Sequence, residues 1–239
     1  MMIINGQKVE RRFIGDKEII GRYLIFCPEH MSNHLIHHFD AIDNQNNNDQ
    51  HDNDATGWID KATGLEADIL SGTWESNGLS LTGNGLVKFY DNNTHSDYTI
   101  MNTHTITGYS AHSRVCGEFP AHSLYLQTST RNYSLYGGGQ DKMFSDPIAP
   151  STLNLRVQIA LRYTASTKTM ELFFNGVKLT EMTAVNTFAR QEFLYLGNRA
   201  TLDRGFVGKI HEHLMYDVAL TNAEIEREFL VSKTRFNIK

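Results

Sequence analysis

Cysteine is nearly missing from this chain of 239 residues, with only Cys27 and Cys116 present. Two cysteines are too few for the disulfide framework that holds small secreted domains together. They read as free thiols of a chain folded in a reducing cytosol, a single bridge between them being the alternative. No uninterrupted apolar run is long enough to cross a bilayer. The opening Met1-Met2-Ile3-Ile4 gives way at once to Lys8, Glu10, Arg11 and Arg12, so no signal peptide is expected. Positive charge is also short: 22 basic against 27 acidic residues leave a formal charge of -5, with no Lys/Arg stripe to attract nucleic acid. Phosphate-binding loops, dinucleotide fingerprints and nucleophile elbows are all missing, as is any repeat of solenoid or propeller period.

What is present is strand and turn. Four prolines and 18 glycines, in a chain rich in Thr, Asn and Tyr, point to strands joined by turns. The length suits one all-β sandwich with a real core. Thr169 to Phe174 and Val177 to Leu179 flank Asn175-Gly176, the strongest short hairpin signal because both turn positions need positive φ. From 153 to 163, Leu153, Leu155, Val157, Ile159 and Leu161 fall on one face, with Asn154, Arg156, Gln158 and Arg162 largely on the other. That alternation predicts a half-buried antiparallel strand. Further strands are expected at 193–197 and 206–210. One helix is expected after Thr221, whose Thr-x-x-Glu spacing to Glu224 makes a capping box. Ile225 and Phe229 give it an apolar stripe of roughly two to three turns, too short to stand alone, so it must lie on the sandwich.

Residues 1–30 read as a separate hairpin or assembly segment, with an edge hairpin of the same domain as the alternative, and residues 31–239 as the main domain. The stretch from Asp43 to Asp54 is a low-complexity polar loop with nothing to bury, expected to be solvent-exposed or ligand-bound.

The ordered set of local patterns resembles laminin-G-like, concanavalin A-like lectin/glucanase domains. Leu172-Phe173-Phe174-Asn175-Gly176-Val177 and Leu194-Tyr195-Leu196-Gly197 resemble their late hairpin and the strand after it. Phe206-Val207-Gly208-Lys209-Ile210-His211-Glu212, then Tyr216-Asp217 and Ala219-Leu220-Thr221-Asn222-Ala223-Glu224-Ile225, resembles their closing strand and capping helix. Earlier, Trp58-Ile59-Asp60-Lys61-Ala62-Thr63-Gly64 and Trp74 with Gly78 to Gly83 are similar to two conserved-type turns and strands of the same domains. The resemblance implies an all-β, two-sheet antiparallel jelly-roll sandwich with one short C-terminal helix. Separately, Asn5 to Val9 with Phe13-Ile14-Gly15 and Ile19 resembles the N-terminal segment of phage and prophage virion proteins of tail, baseplate or head fibre.

Laminarinases share this fold, so the resemblance also raises a glycosidase reading. Retaining glycosidases need two carboxyl groups about 5 Å apart, and the family's catalytic form is Glu-x-Asp-x-x-Glu on one strand. Glu66-Ala67-Asp68 lacks the third acid, and Glu212 sits between His211 and His213. The chain is therefore expected not to be an enzyme, and Glu212 to be a strand residue bonded to a neighbouring loop. His211 and His213, two apart on a strand, should share a face with the spacing of a zinc pair, with no third ligand in view and solvent-facing histidines as the plainer reading, while His37 and His38 should face opposite ways. Calcium fits better the oxygen-rich loop carrying Asp43, Asp49, Asp52 and Asp54, a disordered loop being the plainer reading. For a sugar, Tyr125, Arg131, Tyr133 and Tyr136 beside Gly137-Gly138-Gly139 form the candidate aromatic site, with Trp58 and Trp74 assigned to the core or to turns.

The function expected is that of a virion structural protein with a lectin-like domain for assembly or host-surface glycan attachment. It is made in the host cytoplasm and resident in the virion. Its partners would be other virion subunits, a host-surface carbohydrate and copies of itself, with no nucleic acid and no membrane. A glycoside hydrolase with a divergent site and a bacterial surface adhesion module are the alternatives.

Overall fold

The computed structural model describes residues 2–4, 7–9, 12–14, 17–19 and 29–239, the last without 92–95, 111–112, 117–121, 128–131, 138–140, 144–152 and 184–191. Strands β1 (Met2–Ile4) and β2 (Gln7–Val9) pair antiparallel, as do β3 (Arg12–Ile14) and β4 (Lys17–Ile19). Both are small sheets apart from the main one. Cys27, with the Asn5-Gly6 turn, lies outside the described residues.

The main body is a jelly-roll sandwich. Its first sheet runs β5 (Leu35–Asp40), β18 (Val207–Tyr216), β9 (Tyr98–Ile106), β14 (Arg156–Thr164), β15 (Thr169–Phe174) and β16 (Val177–Thr183). Its second runs β6 (Gly57–Ile59), β7 (Glu66–Glu75), β8 (Gly78–Tyr90), β17 (Phe193–Leu196), β10 (Ser113–Cys116), β11 (His122–Gln127), β12 (Asn132–Gly137) and β13 (Asp141–Met143). β8 belongs to both: its start pairs with β18 at Leu79–Ile210 and its end with β17 at Leu194–Phe89. Strands that switch sheets turn their corner at a bulge, and here the β7–β8 register shifts between Leu70 and Gly72. Glycine makes the corner possible. Gly83 has φ +97, and a Cβ on Gly205 would lie 1.5 Å from the Gly83 carbonyl oxygen.

Between the sheets lies the principal core, where Phe39, Ile100, Ile159, Leu161 and Met215 of the first sheet meet Val87, Phe89, Leu194 and Leu196 of the second. Trp58 and Trp74 meet edge to face at 5.1 Å, and their indole N–H groups donate to the carbonyls of Asp40 and Ala55. The hairpin from β15 to β16 turns as its sequence requires, with Asn175 at φ 47 and Gly176 at φ 80.

Helix α1 (Asn222–Phe236) covers the outer face of the first sheet, capped by Thr221 and Glu224 with both bonds of the capping box formed. It is longer than the stripe of Ile225 and Phe229 indicated, because Val231 and Phe236 continue the burial. Under it lies a second core of Met101, Ala160, Phe173, Leu214, Tyr216, Leu220 and Ile225. The middle of the first sheet, β14 included, is thus buried on both faces, which corrects the half-buried strand expected at 153–163. Gln158 is buried under the helix, while Leu153 and Leu155 precede β14 and are exposed. Among the described residues, no helix is long and apolar enough to cross a membrane.

Candidate functional site

Beneath α1 the first sheet carries a polar row. Asp40 of β5, Glu212 of β18, Thr103 of β9 and Gln158 of β14 are successive cross-strand partners. Polar side chains survive burial only when partnered, and Ser232 of α1 closes the row by bonding both Glu212 and Gln158. Arg235, from the last turn of the helix, pairs with Asp40.

Glu212 is the centre of this row, 0 % exposed. Its Oε1 accepts from His30 Nε2 at 2.9 Å, and its Oε2 accepts from Thr103 and Ser232. His30 Nδ1 donates to Glu228 Oε2 at 2.6 Å, and Tyr216 donates to the same oxygen at 2.7 Å. Met31 N–H and Arg227 complete the partners of Glu228. Burial alone would lower the His30 pKa, but the charge of Glu212 and hydrogen bonds to both glutamates raise it to about 9. The same pairing outweighs burial at Glu212 and pulls its carboxyl down to about 2. His38 is different. Its Nε2 stands 3.8 Å from Glu212 Oε1 and has no hydrogen-bond partner, and burial, opposed by Glu212, lowers its pKa to about 4. His30, His38 and Glu212 are the one group of three or more His, Cys, Asp or Glu among the described residues whose ligand atoms converge, all within 4.8 Å.

Sequence reasoning placed Glu212 on its strand but missed His30 and Glu228. The available signal was spacing: Ile225, Glu228, Phe229 and Ser232 share one helical stripe, so two polar residues sit where apolar ones would. The expected His211 and His213 pair is corrected. The β18–β9 register shifts between Ile210 and Glu212, and this bulge turns His211 to the side of Glu212. His211 meets Phe236 of the helix, whereas His213 meets Phe39 and Phe89 in the inter-sheet core. His37 and His38 do face opposite ways, His37 bonding Asp60 in the inner layer at 2.7 Å.

The polar loop is folded, not bare. Asp43 and Asn44 are buried, and Asn44 clasps the backbone of Asp52 through both ends of its amide. Asp43 pairs with Lys61 at 2.6 Å and Asp49 with Arg235 at 2.6 Å, so two of the four acids proposed for calcium already face cations. Asp52 receives the Asp54 N–H, and the four do not converge on a point. Of the candidate sugar residues, Arg131 lies outside the described residues, and Tyr125 is described only by its strand pairing, with Arg114 on one side and Ser134 on the other. Tyr133 is 1 % exposed in the inter-sheet core, its hydroxyl 2.7 Å from His104 Nε2; Tyr136 is half-buried.

An open site lies elsewhere, on the outer face of the second sheet. Asp68, Lys88 and Tyr195 are cross-strand partners in one row, with Leu70 and Leu86 in the next. They line a depression of about 390 Å³. One row further, Tyr90 and Phe193 meet edge to face at 5.9 Å, and Lys88 Nζ sits 3.9 Å over the Phe193 ring. Tyr90 is 41 % and Leu70 48 % exposed. The face thus sets exposed aromatic and aliphatic surface beside a carboxylate and an ammonium, groups whose chemistry suits a ligand with both apolar faces and hydroxyls.

Three comparisons bear on identity. A family profile described as the concanavalin A-like lectin/glucanases superfamily matches residues 81–226. No curated protein sequence matches. Among solved structures, the sialidase of Trypanosoma rangeli aligns with a TM-score of 0.62 at 15% identity, over 84% of this chain and 33% of that one. The binding domain of botulinum neurotoxin serotype D aligns with a TM-score of 0.60 at 13% identity, over 84% of this chain and 52% of that one. A Bacteroides ovatus protein with a provisional carbohydrate-binding assignment gives 0.51 at 16% identity, over 67% of this chain and 45% of its own. This chain thus spans about a third of the sialidase and half of the neurotoxin domain. At such identities the likeness is one of fold. The expectation that the chain is not an enzyme is corrected by it, because the structures sharing the fold include sialidases as well as binding proteins. The matched profile covers more than half of the sequence, from within β8 to the first turn of α1, and on that ground the chain belongs to the concanavalin A-like lectin/glucanase superfamily.

Proposed function

We propose that this protein is a carbohydrate-binding module whose contact surface is the open face of its second sheet. The observation that carries the reading is the row of Asp68, Lys88 and Tyr195, flanked by the Tyr90–Phe193 pair, on a solvent-open face of a lectin-type sandwich. A pyranose stacks its C–H face on an aromatic ring while charged neighbours hold its hydroxyls. Tyr195 is the platform, and Asp68 and Lys88 are the acceptor and donor beside it.

A glycan array with the full chain, run with and without Ca²⁺, tests this, followed by calorimetric titration of the best ligand. Tyr195→Ala is expected to weaken binding about tenfold or more, as loss of a central aromatic anchor does, while Tyr195→Phe keeps most of it. Equal affinity of Tyr195→Ala and the parent chain would overturn this placement.

For the setting, we propose a component of a phage or prophage tail, baseplate or head fibre, assembled as a homo-oligomer against other virion subunits and presenting the module to a host-surface glycan. The support is the likeness of Asn5 to Ile19 to the N-terminal segments of such proteins. Mass spectrometry of purified particles is the check. Particles that assemble and infect without this chain would end the proposal.

A further inference from the structure

The cluster under α1 plays no part in the open face, and its chemistry is different. We propose that His30, His38 and Glu212 form a binding site for one divalent transition metal of the zinc class. Two imidazole nitrogens and one carboxylate oxygen are a donor set suited to zinc, and the wrong set for calcium, which takes oxygen throughout. The donors stand at 2.9 Å (His30 Nε2 to Glu212 Oε1) and 3.8 Å (His38 Nε2 to Glu212 Oε1). A tetrahedral ion with bonds of about 2.0–2.2 Å holds its ligands roughly 3.3 Å apart. That spacing falls between these two and inside the 4.8 Å that bounds all three donor atoms, so side-chain shifts of about an ångström seat the ion.

Two further features point the same way. Glu228 binds His30 Nδ1 at 2.6 Å, which fixes the tautomer and turns Nε2 toward the site, as outer carboxylates do for metal-bound histidines. Thr103 and Ser232 hold the other oxygen of Glu212. A proton shared between His30 and the glutamates accounts for His30 alone. It leaves His38 Nε2, buried and aimed at the same oxygen, with nothing to bond. A metal satisfies both imidazoles at once, replacing the proton between His30 and Glu212. It would tie the segment before β5 to β5 and β18, directly beneath the helix.

The test uses the full chain, stripped with a chelator and titrated with Co²⁺ as a visible probe and then with Zn²⁺ in competition. One equivalent of Co²⁺ is expected, with the intense visible bands of a low-coordinate site, displaced by Zn²⁺. His38→Gln removes no hydrogen bond of the metal-free fold. It should nonetheless cost more than the roughly 10–100-fold lost with an outer partner, the range expected for Glu228→Gln. His34→Gln, at an exposed histidine, should bind as the parent does. Zn²⁺ should raise the Tm of the parent chain and leave that of His38→Gln unchanged. X-ray absorption on the Co²⁺-loaded parent, independent of any variant, should count two imidazoles. Fewer than two, no stoichiometric uptake, or equal affinity of His38→Gln would overturn the proposal and leave His30 as a proton bridge.

Discussion

His211 and His213, two positions apart on one strand, look to opposite sides of the first sheet. His211 donates from Nδ1 to the Asn77 carbonyl and accepts from Thr105 at Nε2, 2.9 Å away. His213 sits among aromatic rings with its Nδ1 unbonded. Burial depresses both imidazoles to about 3, so each is neutral at pH 7.

The two histidines should therefore answer substitution differently. His211→Leu strands a part-buried carbonyl and hydroxyl and should cost about 1–2 kcal/mol in urea unfolding. His213→Leu removes an unbonded polar atom from an apolar site and should be neutral or stabilising. A reversed order would mean that the bulge is misplaced.

Glu171 predicts how stability responds to acid. Its carboxylate meets Arg162 at 2.5 Å and Lys178 at 2.6 Å. The Arg162 hydrogen bond, against burial and with help from Lys178, holds its pKa below the ordinary value. A depressed folded pKa contributes stability above the unfolded pKa of about 4.3 and loses it as pH falls through the folded value. Glu171→Gln should thus be less stable at pH 7 by about 1–3 kcal/mol. It should also show a shallower loss of Tm below pH 4 than the parent. Parallel acid limbs would refute the assignment.

Thr221 caps α1 reciprocally with Glu224. Thr221→Ala should cost about 1 kcal/mol, Thr221→Ser much less, and Thr221→Gly a few tenths. Because the helix covers the second core, the loss should appear in global unfolding and not only as fraying, measured by circular dichroism and near-ultraviolet signals together.

Two glycines separate crowding from backbone strain. Gly64 has φ +75 with open space around it, so Gly64→Ala should cost about 1–2 kcal/mol. Gly205→Ala must push a methyl into the Gly83 carbonyl and should abolish soluble folded protein or lower stability by several kcal/mol. Comparable Tm values for the two variants would contradict the corner geometry.

Local chemistry was legible in the sequence; distant partners were not. Asn175-Gly176 and Thr221-x-x-Glu224 announce themselves because turn and cap involve neighbours only. The alternation through β14 located the inward Val157, Ile159 and Leu161, yet it could not show that α1 covers the other face and buries Gln158. A period-2 pattern puts His211 and His213 on one face, because one extra residue in a strand leaves no trace in it. Asp43 and Asn44 looked soluble because their partners, Lys61 and the Asp52 backbone, are set by tertiary folding. His30 was beyond reach for the same reason: its two glutamates are 182 and 198 positions away.

That separation has a consequence for how the molecule comes together. During synthesis, His30 is made 182 residues before Glu212 and 198 before Glu228, so neither of its partners exists when it leaves the ribosome. Without α1, the polar row of Asp40, Glu212, Thr103 and Gln158 and the apolar patch of Met101, Ala160, Phe173 and Leu214 would both lie open to water. Docking of the helix removes that layer from water and joins segments far apart in sequence, contacts that carry a large loop-closure cost.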